Sequence, residues 1–209
     1  MKITFISDTH GKHHSPKLQV PESEIIIHAG DFTSMGKLEE VVDFLKWYGE
    51  LPHTHKVLIG GNHDFLLEKN SFLFQSLLPD NITYLENESV EIEGIKIWGS
   101  PITPWFYDWA FNRNRGEDIQ RYWKQIPDDI DILVTHGPPY NQGDRTARGE
   151  RAGCEDLLKK VLQIQPKYHV FGHIHEAYGI TQNEHTTFIN ASCLNLSYQM
   201  VNAPVCIDF

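Results

Sequence analysis

Five short apolar runs in this chain each stop on residues that bind metals. KITFIS (2–7) leads into Asp8-Thr9-His10, EIIIHAG (24–30) into Asp31, and KVLIGG (56–61) into Asn62-His63-Asp64. DILVT (131–135) leads into His136-Gly137, and YHVFG (168–172) into His173-Ile174-His175. Any one of these reads as a turn, a cap or a satisfied strand end; five of five do not. Asp8, His10, Asp31, Asn62, His136, His173 and His175 offer oxygen and imidazole and no thiolate. That donor set suits manganese, iron, zinc, cobalt or nickel rather than a soft-metal site. Seven ligands give about four per ion at a dinuclear centre if one carboxylate is shared. Asp31, the lone acid at a central strand end, is the natural bridge. Ions in hydrolytic pairs stand about 3.5–4 Å apart.

An extended backbone accounts for the spacing inside two of the blocks. Side chains two apart on a strand point to one face, roughly 6.6 Å apart. Asp8 and His10 are therefore expected to face one way together, as are His173 and His175. Ile174 then packs behind, and Gly172 lets the main chain run close to the ions.

Such an arrangement needs strands that end side by side. The five runs are short, unbroken and rich in Ile, Val and Phe, which fits strands buried on both faces of an α/β sheet. Helical stripes lie between them: Leu38, Val41, Val42, Leu45, Tyr48; then Ile119, Tyr122, Trp123, Ile126; then Leu157, Leu158, Val161, Leu162 closed by Gln165. Residues 71–78 read as a short helix. This alternation implies crossover units, whose sites form beyond the carboxyl ends of the strands. SVEIEGIKIWGS (89–100) reads as a hairpin around Glu93-Gly94, and 186–192 and 204–209 read as late strands with no helix between. The expectation is a mixed sheet or two packed sheets with helices outside, in one domain over residues 1–209. The aromatic loop 99–116 reads either as a packed cover or as a wall beside a site, where Trp105, Phe106 and Trp109 could stack a base.

Bulk properties narrow the function. The formal net charge is -10 with no basic run, which argues against long nucleic acid or an anionic membrane as partner. An anionic small substrate stays open, because a bound metal inverts the local field. Cys154, Cys193 and Cys206 are odd in number and lack CxxC spacing, so a reducing compartment and a cytoplasmic protein are expected. The amino-terminal apolar stretch is too short for a signal peptide. Among the other histidines, His13, His14, His53, His55 and His185 are expected in solvent. His28 and His169 are expected in the core, with His28 a candidate support behind the ligands. Arg145 and Arg148 read as solvated loop residues that could meet phosphate.

At the five blocks, Asp8-x-His10, Gly30-Asp31, Gly61-Asn62-His63-Asp64, His136-Gly137 and Gly172-His173-Ile174-His175, the chain resembles the calcineurin-like metallophosphoesterase superfamily. SPITPWFYDWAFN, THGPPYNQGD, FGHIHEAYG and FINAS resemble its small metallophosphoesterase-domain-containing subgroup. The resemblance implies a four-layer α/β/β/α fold, a two-sheet sandwich flanked by helices. It implies two divalent ions, manganese first, with iron, zinc, cobalt, nickel or magnesium as alternatives. One ion would take Asp8, His10, Asp31 and His175, and the other Asp31, Asn62, His136 and His173. His63 would stand beside the scissile phosphate as the catalytic group, and Asp64 would orient it or start a helix. Substrate contacts would come from Asn62, His63 and Trp105.

FTSMG after Asp31 lacks the Asp-Arg-Gly ending of the Ser/Thr protein phosphatases, which lowers that reading. The expected activity is phosphodiester hydrolysis by a hydroxide shared between the ions, on small, nucleotide-type or cyclic diesters. A phosphomonoesterase is the alternative within the class, and a metal-binding scaffold without chemistry is the alternative outside it.

Overall fold

Runs of Ile, Val and Phe become strands here because β-branched and aromatic side chains suit a pleated, buried backbone. The computed structural model describes residues 1–209. In chain order the strands are β1 (Lys2–Ile6), β2 (Ile25–His28), β3 (His55–Leu58), β4 (Thr83–Tyr84), β5 (Glu88–Ile92), β6 (Ile95–Ser100), β7 (Thr103–Pro104), β8 (Asn112–Arg113), β9 (Ile132–Thr135), β10 (Tyr168–Phe171), β11 (Gly179–Gln182), β12 (Thr187–Asn190) and β13 (Val205–Asp208). Between them lie α1 (Leu38–Glu50), α2 (Phe65–Lys69), α3 (Ser71–Leu77), α4 (Glu117–Trp123) and α5 (Glu155–Ile164).

Two large sheets form. The first has the order β13-β1-β2-β3-β4 and the second β11-β12-β10-β9-β6-β5. Both have a parallel centre; the first has one antiparallel edge, β13, and the second has two, β11 and β5. Ile3, Phe5, Ile25, Ile27 and Val57 of the first sheet share one apolar cluster with Ile97, Ile132, Val134, Val170 and Ile189 of the second. The alternate residues face outward. Ile6, Ile26, Leu58, Leu133, Phe171 and Phe188 share another cluster with helical Val41, Phe44, Tyr48, Leu157 and Val161. Each such side chain contributes roughly 1.5–3 kcal/mol on burial. The Tyr48 hydroxyl, between the Ile26 and Val57 carbonyls at 3.2 and 2.8 Å, ties α1 to the first sheet. The result is the expected two-sheet α/β architecture with helices outside.

The 89–100 hairpin forms, with Glu93 at φ 52° and Gly94 at φ 81°, the signs a tight two-residue turn needs. Other details differ from expectation. Leu38 and Val42 of α1 stay exposed, and Phe44 takes the buried place beside Val41, Leu45 and Tyr48. Leu162 of α5 is likewise exposed while Ile164 is buried. A helical stripe is fixed by the surface it meets, and the buried arc lies to one side of the one the apolar residues suggested. Strand β11 and helix α2 are additional elements. His13 and His53 are buried rather than solvated, on Asp43 and on the Pro21 carbonyl respectively, each at 3.0 Å. No helix is long and apolar enough to cross a membrane.

His169 is fully buried, and its Nε2 lies 2.8 Å from the Thr135 hydroxyl. Burial pulls its pKa down to about 3. Between that value and the ordinary 6.5 or so, the unfolded chain holds a proton that the native protein does not. Stability is therefore lost as pH falls through this window. We expect the unfolding free energy, from urea titrations in EDTA, to fall more steeply for wild type than for His169→Asn between pH 6.5 and 4. The difference is up to about 1.4 kcal/mol per pH unit, one proton. Identical slopes would refute this role.

Candidate metal centre

The parallel centres of both sheets send β1, β2, β3, β9, β10 and β12 the same way, so the loops after them converge. The two sheets meet at that end. Ser7 and Ser192, just beyond β1 and β12, form an isolated parallel bridge, and the Cys193 amide donates to the Ser7 carbonyl at 2.9 Å.

An extended backbone is not what aims the ligands. Asp8 (φ 54°), His10 (φ 42°), Asp31 (φ 56°) and His173 (φ 68°) are all left-handed, and His175 opens a short 3-10 turn. Asp and His tolerate this region better than most residues, yet each such position costs about 1–3 kcal/mol unless its surroundings enforce it. Here they do. The Asp8 amide donates to the Gly30 carbonyl and the His10 amide to the Asp31 carbonyl, both at 3.0 Å. The His173 amide donates to the Asp8 carboxylate at 3.1 Å.

The side chains then close on one another. Asp31 Oδ2 lies 3.3 Å from His136 Nε2 and 3.6 Å from His10 Nε2, so one oxygen faces both groups of donors. On one side His175 Nε2 stands 3.3 Å from both Asp8 Oδ1 and His10 Nε2. On the other, Asn62 Oδ1 is 2.9 Å from His136 Nε2, and His173 joins Asp31 and His136 within one ligand cluster. All seven expected ligands are brought together in the two expected groups.

These donors fit cations. His136 Nδ1 donates to the Ala29 carbonyl at 2.9 Å, and His175 Nδ1 to the Asn195 carbonyl at 3.2 Å. Each neutral ring then turns a lone pair on Nε2 toward oxygens that are themselves acceptors. Only a proton or a metal ion between them makes that arrangement favourable. The same conflict governs the charge states of these groups. Burial opposes charge on His136, but Asp31 outweighs it and raises the pKa to about 9. Burial also opposes ionisation of Asp31 and Asp8, and the neighbouring His136 and His175 respectively hold both carboxyls well below the usual range. Burial pulls His10 down to about 4 and His173 down to about 3, leaving them as neutral ligands.

His63 completes the site. Its Nδ1 donates to the Ser34 carbonyl at 2.7 Å, which leaves Nε2 free. The ring lies against Trp109, with centroids 4.2 Å apart, and edge-on to His10 at 4.5 Å. A cavity of about 210 Å³ opens here, walled by His63, Phe106, Trp109, Glu176, Leu196 and Tyr198 above Asp31 and Asn62.

Two expectations change. Asp64 was expected to orient His63 or to start a helix. It stands at the start of α2, but its side chain caps nothing there. Its oxygens accept from the amides of Asp31, Gly61 and Thr33 and from the Thr33 hydroxyl, at 2.6–2.9 Å. It therefore holds the loops that carry Asp31 and Asn62. Burial, with the Asp31 charge beside it, pushes its pKa up to about 7, and its four donors pull the other way. Trp105, expected at the substrate, is absent from this cavity and lines the next cleft, while Phe106 and Trp109 of the same loop flank the metal side.

Several partners carried no readable signal. Ser192 donates to Asp8 at 2.6 Å, and Ser34 and Asn195 act through main-chain carbonyls. His28 is buried, as expected. Its Nε2 lies 3.0 Å from the Thr9 hydroxyl and its Nδ1 accepts from the Gly30 amide at 3.2 Å, so it braces both ligand turns. Gly172 is required by closeness: a Cβ there would sit 2.0 Å from the Asp8 carboxylate and 2.2 Å from the Ser7 hydroxyl. Gly172→Ala should lower stability by about 1–3 kcal/mol and weaken metal binding by displacing Asp8. Thermal unfolding with and without added manganese checks this. An unchanged metal-dependent gain in Tm would contradict it.

The family profile described as calcineurin-like phosphoesterase matches residues 1–177. Metallophosphoesterase domain-containing protein 1 of Homo sapiens is 40% identical over 99% of this chain and 70% of its own length. UPF0046 protein K07C11.7 of Caenorhabditis elegans is 38% identical over 98% of this chain and 74% of its own. One solved crystal structure shares the fold at 14% identity and a TM-score of 0.67, covering 90% of this chain and 89% of that one.

Proposed function

This chain belongs to the calcineurin-like phosphoesterase family, and from that premise we propose that it hydrolyses phosphodiesters at two divalent ions, manganese foremost. Asp8, His10, Asp31 and His175 would hold one ion, and Asp31, Asn62, His136 and His173 the other. Two such ions, when bound, neutralise phosphoryl oxygens and lower the pKa of a coordinated water.

The observation that favours a diester is the lining of the cavity. No Lys or Arg faces it, and one wall carries the Glu176 carboxylate. A dianionic monoester would find no side-chain cation beyond the histidines and would meet that carboxylate. A diester carries one charge and two organic arms, which suits a cavity flanked by Phe106 and Trp109 and by Leu196 and Tyr198. The chain's own residues then divide the work. Asp31 faces both ligand groups and sets their separation. His63, fixed through Nδ1, presents Nε2 where charge grows on the leaving oxygen.

Comparing mono- and bis-p-nitrophenyl phosphate across manganese, zinc, cobalt, nickel and magnesium tests the reading. We expect kcat/KM on the diester to exceed that on the monoester at least tenfold. The reverse order would make the protein a phosphomonoesterase. An inert protein under every metal would make it a scaffold.

A further inference from the structure

Beside the metal cavity lies a second cleft of about 410 Å³, within the ~300–1,000 Å³ usual for small-ligand sites. Trp105, Phe106, Arg115, Pro138, His173 and Ile174 contribute to its walls. Phe106 and His173 line both cavities, so the two adjoin and the cleft is within reach of an arm leaving a phosphorus atom at the metals. Two side chains there offer a ligand more than the fold requires of them. Trp105 is 56% exposed, whereas a tryptophan serving the core would be covered. Arg115 is held in place by neutral groups alone: Nη1 donates to the Gly153 carbonyl at 2.8 Å and Nη2 to the Ala152 carbonyl at 2.9 Å. It forms no ion pair, while Arg113 pairs with Glu68 and Arg151 with Asp144. In a chain of net charge -10, an oriented guanidinium without a carboxylate is a ready partner for an anion.

We propose that this cleft selects the substrate: it receives an arm of the diester made of an aromatic base and a second phosphate, with Trp105 stacking the ring and Arg115 meeting the charge. This deepens the diesterase reading above and rests on it. The favoured substrates are open-chain nucleotide diesters with a further phosphate on the nucleoside, rather than small uncharged-arm diesters. Trp105, expected to stack a base, takes that role here in the cleft beside the metal cavity. Arg145 and Arg148 are exposed and lie outside the walls of this cleft.

Three chromogenic diesters test it: bis-p-nitrophenyl phosphate, the p-nitrophenyl ester of thymidine 5′-phosphate, and that ester bearing a 3′-phosphate. In each, water adds to phosphorus, the P–O bond to the aryl group breaks, and p-nitrophenolate leaves with the electron pair, so the leaving group is constant. We expect the 3′-phosphate to raise kcat/KM about tenfold, through KM. Arg115→Ala should reduce that ratio to about one, and Arg115→Lys should restore part of it. Trp105→Ala should lower both nucleoside substrates about tenfold relative to bis-p-nitrophenyl phosphate. Because Trp105 is exposed, this variant carries the test even if Arg115→Ala, which loses its loop carbonyls, fails to fold. A ratio of one in wild type, a ratio that survives Arg115→Ala, or nucleoside preference that survives Trp105→Ala overturns the inference while the diesterase reading stands. Cleavage of p-nitrophenyl phosphate with none of the three diesters overturns both.

Discussion

Asp31→Ala is expected to give a protein that neither retains divalent metal ions nor hydrolyses phosphoesters. The reason is position. Asp31 Oδ2 is the one oxygen that faces His136 and His10 together, at 3.3 and 3.6 Å, and the residue is only 2% exposed. Removing it takes a ligand from both ions at once and leaves the histidines without their balancing charge. Losing an outer partner of a ligand costs about 10–100-fold in metal affinity, so losing the shared ligand costs more than ~100-fold. Metal analysis after gel filtration reads this directly. Asp31 Oδ1 also accepts from the His63 amide at 2.7 Å. Asp31→Asn keeps an acceptor there and removes the charge, so it separates the two roles. We expect Asp31→Asn to fold with a Tm near wild type and still to lose metal. A fully metallated, active Asp31→Ala would remove the dinuclear account.

His63→Ala is the second large effect, and it divides metal binding from chemistry. His63 lies within ligand distance of His10 and Asp31, yet its Nδ1 is fixed on Ser34 and its ring is stacked on Trp109. A ligand role predicts lost metal on substitution. A role at the leaving oxygen predicts retained metal and a rate lower by about 10²–10⁴-fold, the usual worth of general acid–base assistance. We expect the second result, with the fall in kcat rather than KM. The deficit should shrink as the leaving group becomes a better one, since p-nitrophenolate needs less help than an alkoxide. A variant that cleaves bis-p-nitrophenyl phosphate and an alkyl diester at wild-type rates would show that His63 is only a wall.

Much of this was legible in the sequence, for an identifiable reason. Strands buried on both faces must be apolar throughout, so KITFI or ILVT cannot hide, and a polar metal donor just past each end stands out. The seven ligands and His63 follow from that contrast. The explanation first offered for their spacing did not hold. Asp8-x-His10 and His173-x-His175 looked like same-face strand pairs, but left-handed residues turn the chain before the donors appear. The groups that hold the turns and the rings are mostly main-chain carbonyls: Gly30 and Asp31 accept from the Asp8 and His10 amides, and Ala29, Ser34 and Asn195 from the rings of His136, His63 and His175; a carbonyl carries no side-chain signal. Asp64 does stand at the start of a helix, as one of its two readings had it, but its side chain serves Asp31 and Thr33, distant in sequence, as well as Gly61. The 99–116 loop has no period to read, so which of its aromatic residues face the metals was decided by packing alone.

The central claim is that two ions, sharing Asp31, are needed for hydrolysis. Titrating manganese into EDTA-stripped protein, while following bis-p-nitrophenyl phosphate hydrolysis and metal bound per chain, tests it most directly. Activity that appears with the second equivalent and saturates at two ions per chain is the expected result. Full activity at one ion, or hydrolysis by the stripped protein, would contradict it.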